Sequence, residues 1–513
     1  MERRFIYDSG TAVVKTQSGT VRGYIDDDVT VFKGIPYAHA KRFHRPEPAV
    51  LDGIFDAANY GFVCPLLTID KPVGELFCPH RYWPQNEDCM NLNIWTPACD
   101  DGIRPVMVWL HGGGYGFGSA IEQQAYEGGN MAHYGDTVVV SVNHRLNILG
   151  FFDVSDFGEE YENSGNAGME DIICALKWIR LNIASFGGDP DNVTLFGQSG
   201  GGAKITTLLQ MPEADGLFMR GINMSGVVPT ILPDCEQTEK EIAEAIMADL
   251  GLKDIHELEN ADYYLFAKSY QRLSPEFQKA DISVGGTPHL NAYYAGDPLL
   301  HGFRKESKDA ALIVGSVYGE FTSFMPAPLD RKSLSDEEGV KALRSRIGDK
   351  EAGTVLPLFR KAYPDRHPVD LLMLDTLFRP EIQKYVRKRA EVCPKHTYSY
   401  MFNVDMPIDG GRTPWHCSDI PYIFHNTALS PYTQEAGVTE RIENQIFQAV
   451  MAFARTGNPA NTYLPVWPSC TKTTENTMVF GKNSAEVKPD FDQKLIKAAL
   501  KNMKLSDFGS IQH

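Results

Sequence analysis

The pattern of apolar and polar positions predicts strands first and helices later along the chain. Residues 106–110 (VMVWL) and 137–142 (TVVVSV) are nearly continuous apolar runs, as expected of strands covered on both faces. Shorter strand signals precede them at 19–24 (GTVRGY), 30–34 (TVFKG) and 92–95 (LNIW). From about Met169 to Phe186, the apolar positions Met169, Ile172, Ile173, Leu176, Ile179 and Ile183 keep the 3.6-residue period of a helix, and Gly187 and Gly188 stop it. After the polar turn 189–192 (DPDN), residues 193–197 (VTLFG) predict another buried strand. Strand, helix and strand in this order are the mark of a parallel βαβ unit. Further on, Ile242, Ile246, Met247 and Leu250 share one helical face, as do Ile442, Ile446, Val450 and Phe453 ahead of Gly457. Residues 311–315 (ALIVG) and 397–402 (TYSYMF) extend the sheet. No repeat, long charge run or Ser/Gly/Pro linker divides the chain. Residues 1–513 are therefore expected to form a single α/β domain with helical insertions.

Composition narrows the functional classes. The chain has 513 residues, 43% of them hydrophobic and 22% charged. Its 45 Gly and 31 Pro fall well short of a low-complexity chain, and at this size roughly three quarters of the unfolded surface can be buried. With 49 basic and 66 acidic residues the net charge is −17. A phosphate backbone would be repelled, and no basic stripe offsets the balance, so no nucleic-acid partner is expected. No stretch approaches the roughly 18 apolar residues of a membrane span. The N-terminus has basic residues but no apolar run behind them, so no signal peptide is expected. The nine cysteines are few, odd in number and without a CxxC pair. They argue against a disulfide framework or zinc site and for a cytoplasmic, mostly reduced protein.

Two glycine-rich segments carry candidate chemistry. Residues 197–201 (GQSGG) fit G-x-S-x-G between a buried strand and a helix start, where flanking glycines permit the sharp turn that lifts Ser199 above a sheet. The same glycines also suit a phosphate-binding helix start. Gly197 to Lys204 nearly spells a P-loop, but Ala203 separates the last glycine from the lysine. The second segment, His111-Gly112-Gly113-Gly114-Tyr115, follows the strand ending at Leu110. Its backbone N–H groups suit the negative oxygen of a tetrahedral intermediate, each such donor contributing on the order of 3 kcal/mol to the transition state. No G-x-G-x-x-G runs through it. A serine nucleophile needs a base and an orienting acid, both C-terminal to it in the α/β-hydrolase order. Loops after predicted strands narrow the choice to Glu320 and His416, though fourteen histidines leave it open on position alone.

Several longer motifs, in order, resemble those of the type-B carboxylesterases, the carboxylesterase/cholinesterase family of the α/β-hydrolase fold. They are residues 30–38 (TVFKGIPYA), 87–95 (EDCMNLNIW), 111–114 (HGGG), 143–151 (NHRLNILGF), 165–171 (GNAGMED), 186–190 (FGGDP) and 196–201 (FGQSGG). The resemblance spans nearly the whole chain. It implies an α/β fold with a large mixed, mostly parallel sheet, helices on both faces and helical insertions. It also implies a serine carboxylesterase acting through an acyl-enzyme on small, uncharged esters of short to medium acyl length, without metal or cofactor. The same machinery acting on a thioester, amide or carbamate is the nearer alternative, and a non-catalytic adhesion or scaffold relative the remoter one.

Carried over residue by residue, the resemblance makes Ser199 the nucleophile. Glu320, in 315–320 (GSVYGE), becomes the acid, and His416, in 416–424 (HCSDIPYIF), the base. Gly113, Gly114 and Gly200 supply the oxyanion hole. Ser225 and Asp419 stand behind the triad, with Gln198 in place of the family's usual glutamate, which implies weak activity on choline esters. Gly200 replaces the usual alanine, keeping the N–H and adding a little room. Arg145 with Asp171, and Arg42 with Glu87, match the family's buried ion pairs. Cys64 and Cys89 match its first disulfide, which if formed would fit secretion rather than the cytoplasm. The acyl and alcohol pockets are expected within 64–90, 230–300 and 320–380. Monomer and dimer both remain open.

Overall fold

The apolar runs become the centre of a twelve-stranded sheet in the computed structural model, which describes residues 4–67, 81–227, 239–279, 285–323, 331–408 and 410–503. In chain order its strands are β1 Phe5–Ile6, β2 Tyr24–Asp26, β3 Val29–Pro36, β4 Asn91–Thr96, β5 Arg104–Leu110, β6 Val138–Val142, β7 Gly188–Gln198, β8 Arg220–Met224, β9 Ala311–Val317, β10 Thr397–Asn403, β11 Asn476–Gly481 and β12 Ala485–Pro489. In space they run β1-β2-β3-β4-β6-β5-β7-β8-β9-β10-β11-β12. The strands from β6 to β11 are parallel to their neighbours. The flanking pairs are antiparallel.

Side chains of the central strands alternate between two cores, as a pleat requires. Val106, Val108 and Leu110 face one cluster with Val138, Val140, Leu195 and Val314. Met107 and Trp109 face the other with Val139, Phe196 and Ile313. Helices cover both. On the first face lie α1 Ala167–Asn182, with Met169, Ile172, Leu176 and Ile179 buried, and α3 Phe378–Val392, with Phe378, Ile382 and Val386 buried. On the second lies α4 Thr439–Thr456, whose Ile442, Ile446, Val450 and Phe453 enter the core. Between α1 and α3 in the chain comes α2 Gly200–Leu208.

The structure shifts some expected boundaries. The helix predicted to reach Phe186 tightens into a 3-10 turn over Ile183–Phe186 and stops at Gly187, whose φ is +78°. The polar turn at 189–192 falls inside β7, where pairing with β5 jumps from Arg104–Gly188 to Val106–Val193, so the extra residues bulge from the ladder. Among the described residues no helix is long and apolar enough to cross a membrane.

Candidate active site

Ser199 is the single residue between β7 and α2, with φ 56° and ψ −123°. Such a backbone is unfavourable for a residue with a Cβ and is held from both sides. Its N–H donates to the Met224 carbonyl of β8 at 2.8 Å, and its own carbonyl accepts from Ala203 at 3.0 Å. The glycines around it serve packing as well as the turn. A Cβ at Gly197 would lie 2.7 Å from the Leu110 carbonyl oxygen, and one at Gly201 3.0 Å from that of His111. Both distances are too short, so the start of α2 is pressed against the end of β5.

The glycine loop after β5 lies against that helix start. Gly113 and Gly114 have φ of +87° and +61°, and a Cβ on Gly200 would meet the Gly114 backbone, its Cα at 2.5 Å and its O and N closer still. The Gly113 carbonyl accepts from Gly116 at 3.2 Å and Phe117 at 3.0 Å. The N–H groups of Gly113, Gly114 and Gly200 donate to no group among the described residues. Three free amide donors therefore sit on two touching segments beside Ser199. The extra room expected from glycine at position 200 is not there: the loop has closed onto it.

Glu320 follows β9 and His416 follows β10, at the carboxyl ends of neighbouring parallel strands. They are joined twice. Nδ1 of His416 lies 2.5 Å from Oε2 of Glu320, and the His416 backbone N–H donates to the Glu320 carbonyl at 2.5 Å. The other carboxylate oxygen accepts from the Ser225 hydroxyl at 2.7 Å and the Val317 N–H at 3.0 Å. Glu320 and His416 are both buried. Next to them, the Cys417 thiol donates to Oε1 of Gln198 at 3.1 Å, so the histidine segment touches the serine segment. Gln198 is itself buried, and its Nε2 finds no partner among the described residues.

Three further groups surround the pair that sequence reasoning did not single out. The Phe378 ring stacks on His416, centroids 5.3 Å apart and planes at 26°. Buried Asp375 accepts the N–H groups of Leu377, Phe378 and Arg379, which fixes the start of α3 and thus that ring. Burial, and then the charge of Glu320, pushes Asp375 up to about 7. The Tyr400 hydroxyl donates to Asp419 at 2.6 Å. Burial pushes Asp419 up to about 6; the Tyr400 bond opposes the shift and Glu320 adds to it. The stacking of Phe378 on a residue from another strand end leaves no local mark in the sequence.

The expected ion pairs form. Arg145 bonds Asp171 at 2.6 Å with both side chains buried, whereas Arg42 bonds Glu87 at 2.5 Å with the glutamate 33% exposed, so that pair is only part-buried. Cys64 and Cys89 are buried, adjacent free thiols, so the disulfide implied by resemblance is not formed here. Cys78 and Cys235 lie outside the described residues, as do parts of all three segments expected to hold the acyl and alcohol pockets. Among the described residues no three His, Cys, Asp or Glu side chains stand together as a metal site.

Residues 10–499 match the carboxylesterase family. The chain is 32% identical over 480 residues to a para-nitrobenzyl esterase of Bacillus subtilis (strain 168), covering 91% of this chain and 94% of that one. It is 32% identical over 498 residues to a phenmedipham hydrolase of Pseudarthrobacter oxydans, covering 93% and 97%. Among solved structures, an esterase from anaerobic Clostridium hathewayi, described as able to hydrolyze aliphatic aromatic polyesters, superposes with a TM-score of 0.93. It is 45% identical, over 98% of this chain and all of that one. These neighbours are esterases of the α/β-hydrolase fold.

Proposed function

This chain belongs to the carboxylesterase family and is a carboxylic ester hydrolase, and on that premise we propose that Ser199, His416 and Glu320 carry out the hydrolysis. The Ser199 hydroxyl attacks the ester carbonyl while His416 takes its proton through Nε2. Glu320, bonded to Nδ1, fixes the tautomer and stabilises the imidazolium. The carbonyl oxygen becomes an oxyanion held by the N–H groups of Gly113, Gly114 and Gly200. Collapse of the intermediate expels the alcohol, which receives the proton from His416, and leaves an acyl-Ser199. Water, deprotonated by His416, then attacks the acyl carbon; as the acyl–oxygen bond breaks, His416 returns that proton to Ser199 Oγ, and the acid is freed. The observation that carries this reading is the doubly bonded Glu320–His416 pair at the carboxyl ends of β9 and β10, at the same edge of the sheet as the strained serine turn that follows β7.

The substrates we propose are uncharged esters of short to medium acyl chains, including esters of aromatic acids. Two supports favour this. Gln198 places a neutral amide beside the nucleophile, and the 45% identical relative is described as acting on aliphatic aromatic polyesters. A panel of 4-nitrophenyl esters of graded acyl length, with a dialkyl terephthalate and matched thioester, amide and carbamate substrates, tests it. Highest kcat/KM on the oxygen esters is expected; a preference for any of the other three bonds would overturn the ester reading.

A further inference from the structure

Lys204, a buried lysine that the proposed mechanism does not use, touches the root of the oxyanion loop. Lys204 lies on α2, just over one turn beyond Ser199, and has no solvent exposure. Its ammonium donates to the His111 carbonyl at 3.0 Å and stands 6.0 Å from the centre of the Tyr115 ring. His111 and Tyr115 bracket the three glycines of the oxyanion loop. An ammonium removed from water is strongly disfavoured unless it is well compensated. Burial accordingly brings Lys204 down to about 7, with the Glu122 carboxylate acting the other way.

The groups around Lys204 come from every neighbouring segment. His111 and His144 stack at 5.1 Å. Burial, and then the lysine, pushes both imidazoles well below their usual range, so they stay neutral. Glu122 accepts from the Tyr126 hydroxyl at 3.3 Å. Charged or neutral, Lys204 keeps an N–H to give to the His111 carbonyl.

What this buried donor does here follows from the loop it touches. Three successive glycines have more conformational freedom to lose than any other tripeptide, whereas an oxyanion hole works only when its donors are fixed beforehand. Gly201 presses against the Leu110–His111 backbone, and Lys204, three residues later on the same helical face, reaches the same His111 carbonyl. Together they anchor the root of the loop to the helix that carries the nucleophile. We propose that Lys204 is a positioning residue for ester hydrolysis: by holding the His111 carbonyl, it fixes the loop that presents the Gly113 and Gly114 amides. This inference rests on the oxyanion hole assigned above.

The test uses two substitutions in the full chain. Lys204→Met keeps the length and apolar stem but removes the donor; Lys204→Gln restores a neutral donor. Active sites are titrated with a 4-nitrophenyl phosphonate, and kcat is expressed per titrated site for a 4-nitrophenyl ester. Lys204→Met is expected to lower kcat per site about 10- to 100-fold with KM within about twofold, as for a displaced donor loop. Lys204→Gln is expected to recover part of the loss. A wild-type rate per site in Lys204→Met, even with fewer sites or a lower melting temperature, would overturn the proposal by reducing Lys204 to a packing residue. If Lys204→Met does not fold, Lys204→Leu, which also lacks the donor, decides on the same criterion. An inactive wild type would instead contradict the esterase reading itself.

Discussion

The backbone of Gly114 rests so closely on Gly200 that a methyl group at position 200 would lie 2.5 Å from the Gly114 Cα and nearer to its oxygen and nitrogen. The neighbour is backbone, with no flexible end to move aside. Alanine, the residue usual in the family at this position, therefore fits this chain badly. Gly200→Ala is expected to push the loop away from the nucleophile and lower kcat by about tenfold or more, with little change in KM. Kinetics per titrated site check this, and an alanine variant as fast as wild type would show that the loop yields freely.

The Arg145–Asp171 pair sets a stability expectation. Asp171 accepts from Arg145 Nη2, Nε and backbone N–H, and neither side chain reaches water. Arg145→Met leaves the carboxylate buried without its cation. The expected cost is about 3–5 kcal/mol, read from the midpoint of urea unfolding. A loss below about 1 kcal/mol, the range of exposed pairs, would mean that Asp171 finds another partner.

His289 gives the expected pH dependence of stability. Burial disfavours its charge, but the Glu239 carboxylate 3.2 Å away outweighs this and raises the imidazole to about 8. A histidine whose folded value is raised contributes stability that is complete below its unfolded value of about 6.5. That stability fades as pH rises through about 8. The melting temperature should therefore fall between pH 6.5 and 8.5 more steeply in wild type than in His289→Gln. Parallel curves would remove the pair from the account.

Charge selectivity follows from Gln198, a neutral, buried amide occupied by the Cys417 thiol. The net charge of −17 favours encounter with cations, but surface charge acts over only about 8 Å at physiological salt. An uncharged ester is expected to have a higher kcat/KM than the choline ester of the same acyl group. A tenfold preference for the choline ester would place a cation site elsewhere.

Much of this arrangement was legible in the chain because its signals are local. Continuous apolar runs marked β5, β6 and β7, and the 3.6-residue period marked α1 and α4, since burial on two faces or on one stripe leaves a direct imprint. The helices Asp336–Ile347, Asp349–Ala362 and Gln493–Asn502 are not singled out from the sequence, although Val355, Leu356 and Phe359, and Leu495, Ile496 and Ala499, form buried stripes at helical spacing; their apolar stripes are short and stand among charged residues. At the site, motifs brought Ser199, Glu320 and His416 to notice. What the sequence did not show was contact between distant segments. The stacking of Phe378 on His416, the bond from Lys204 to His111 and the closure of Gly114 on Gly200 each join residues whose spacing carries no pattern. Glycine at 200 looked like added room, whereas it marks a backbone contact.

The central claim, that Ser199 is the nucleophile, is tested most directly by Ser199→Ala. The strained turn is held by backbone bonds, the Ser199 N–H donating to Met224 and the Ser199 carbonyl accepting from Ala203, so the variant should keep the wild-type melting behaviour. Its kcat on a 4-nitrophenyl ester should fall by about 10⁴–10⁶, and a 4-nitrophenyl phosphonate that labels the wild-type chain at Ser199 alone should leave the variant unlabelled. Substantial turnover by a purified, folded Ser199→Ala chain, or phosphonylation of another residue with loss of activity, would contradict the account.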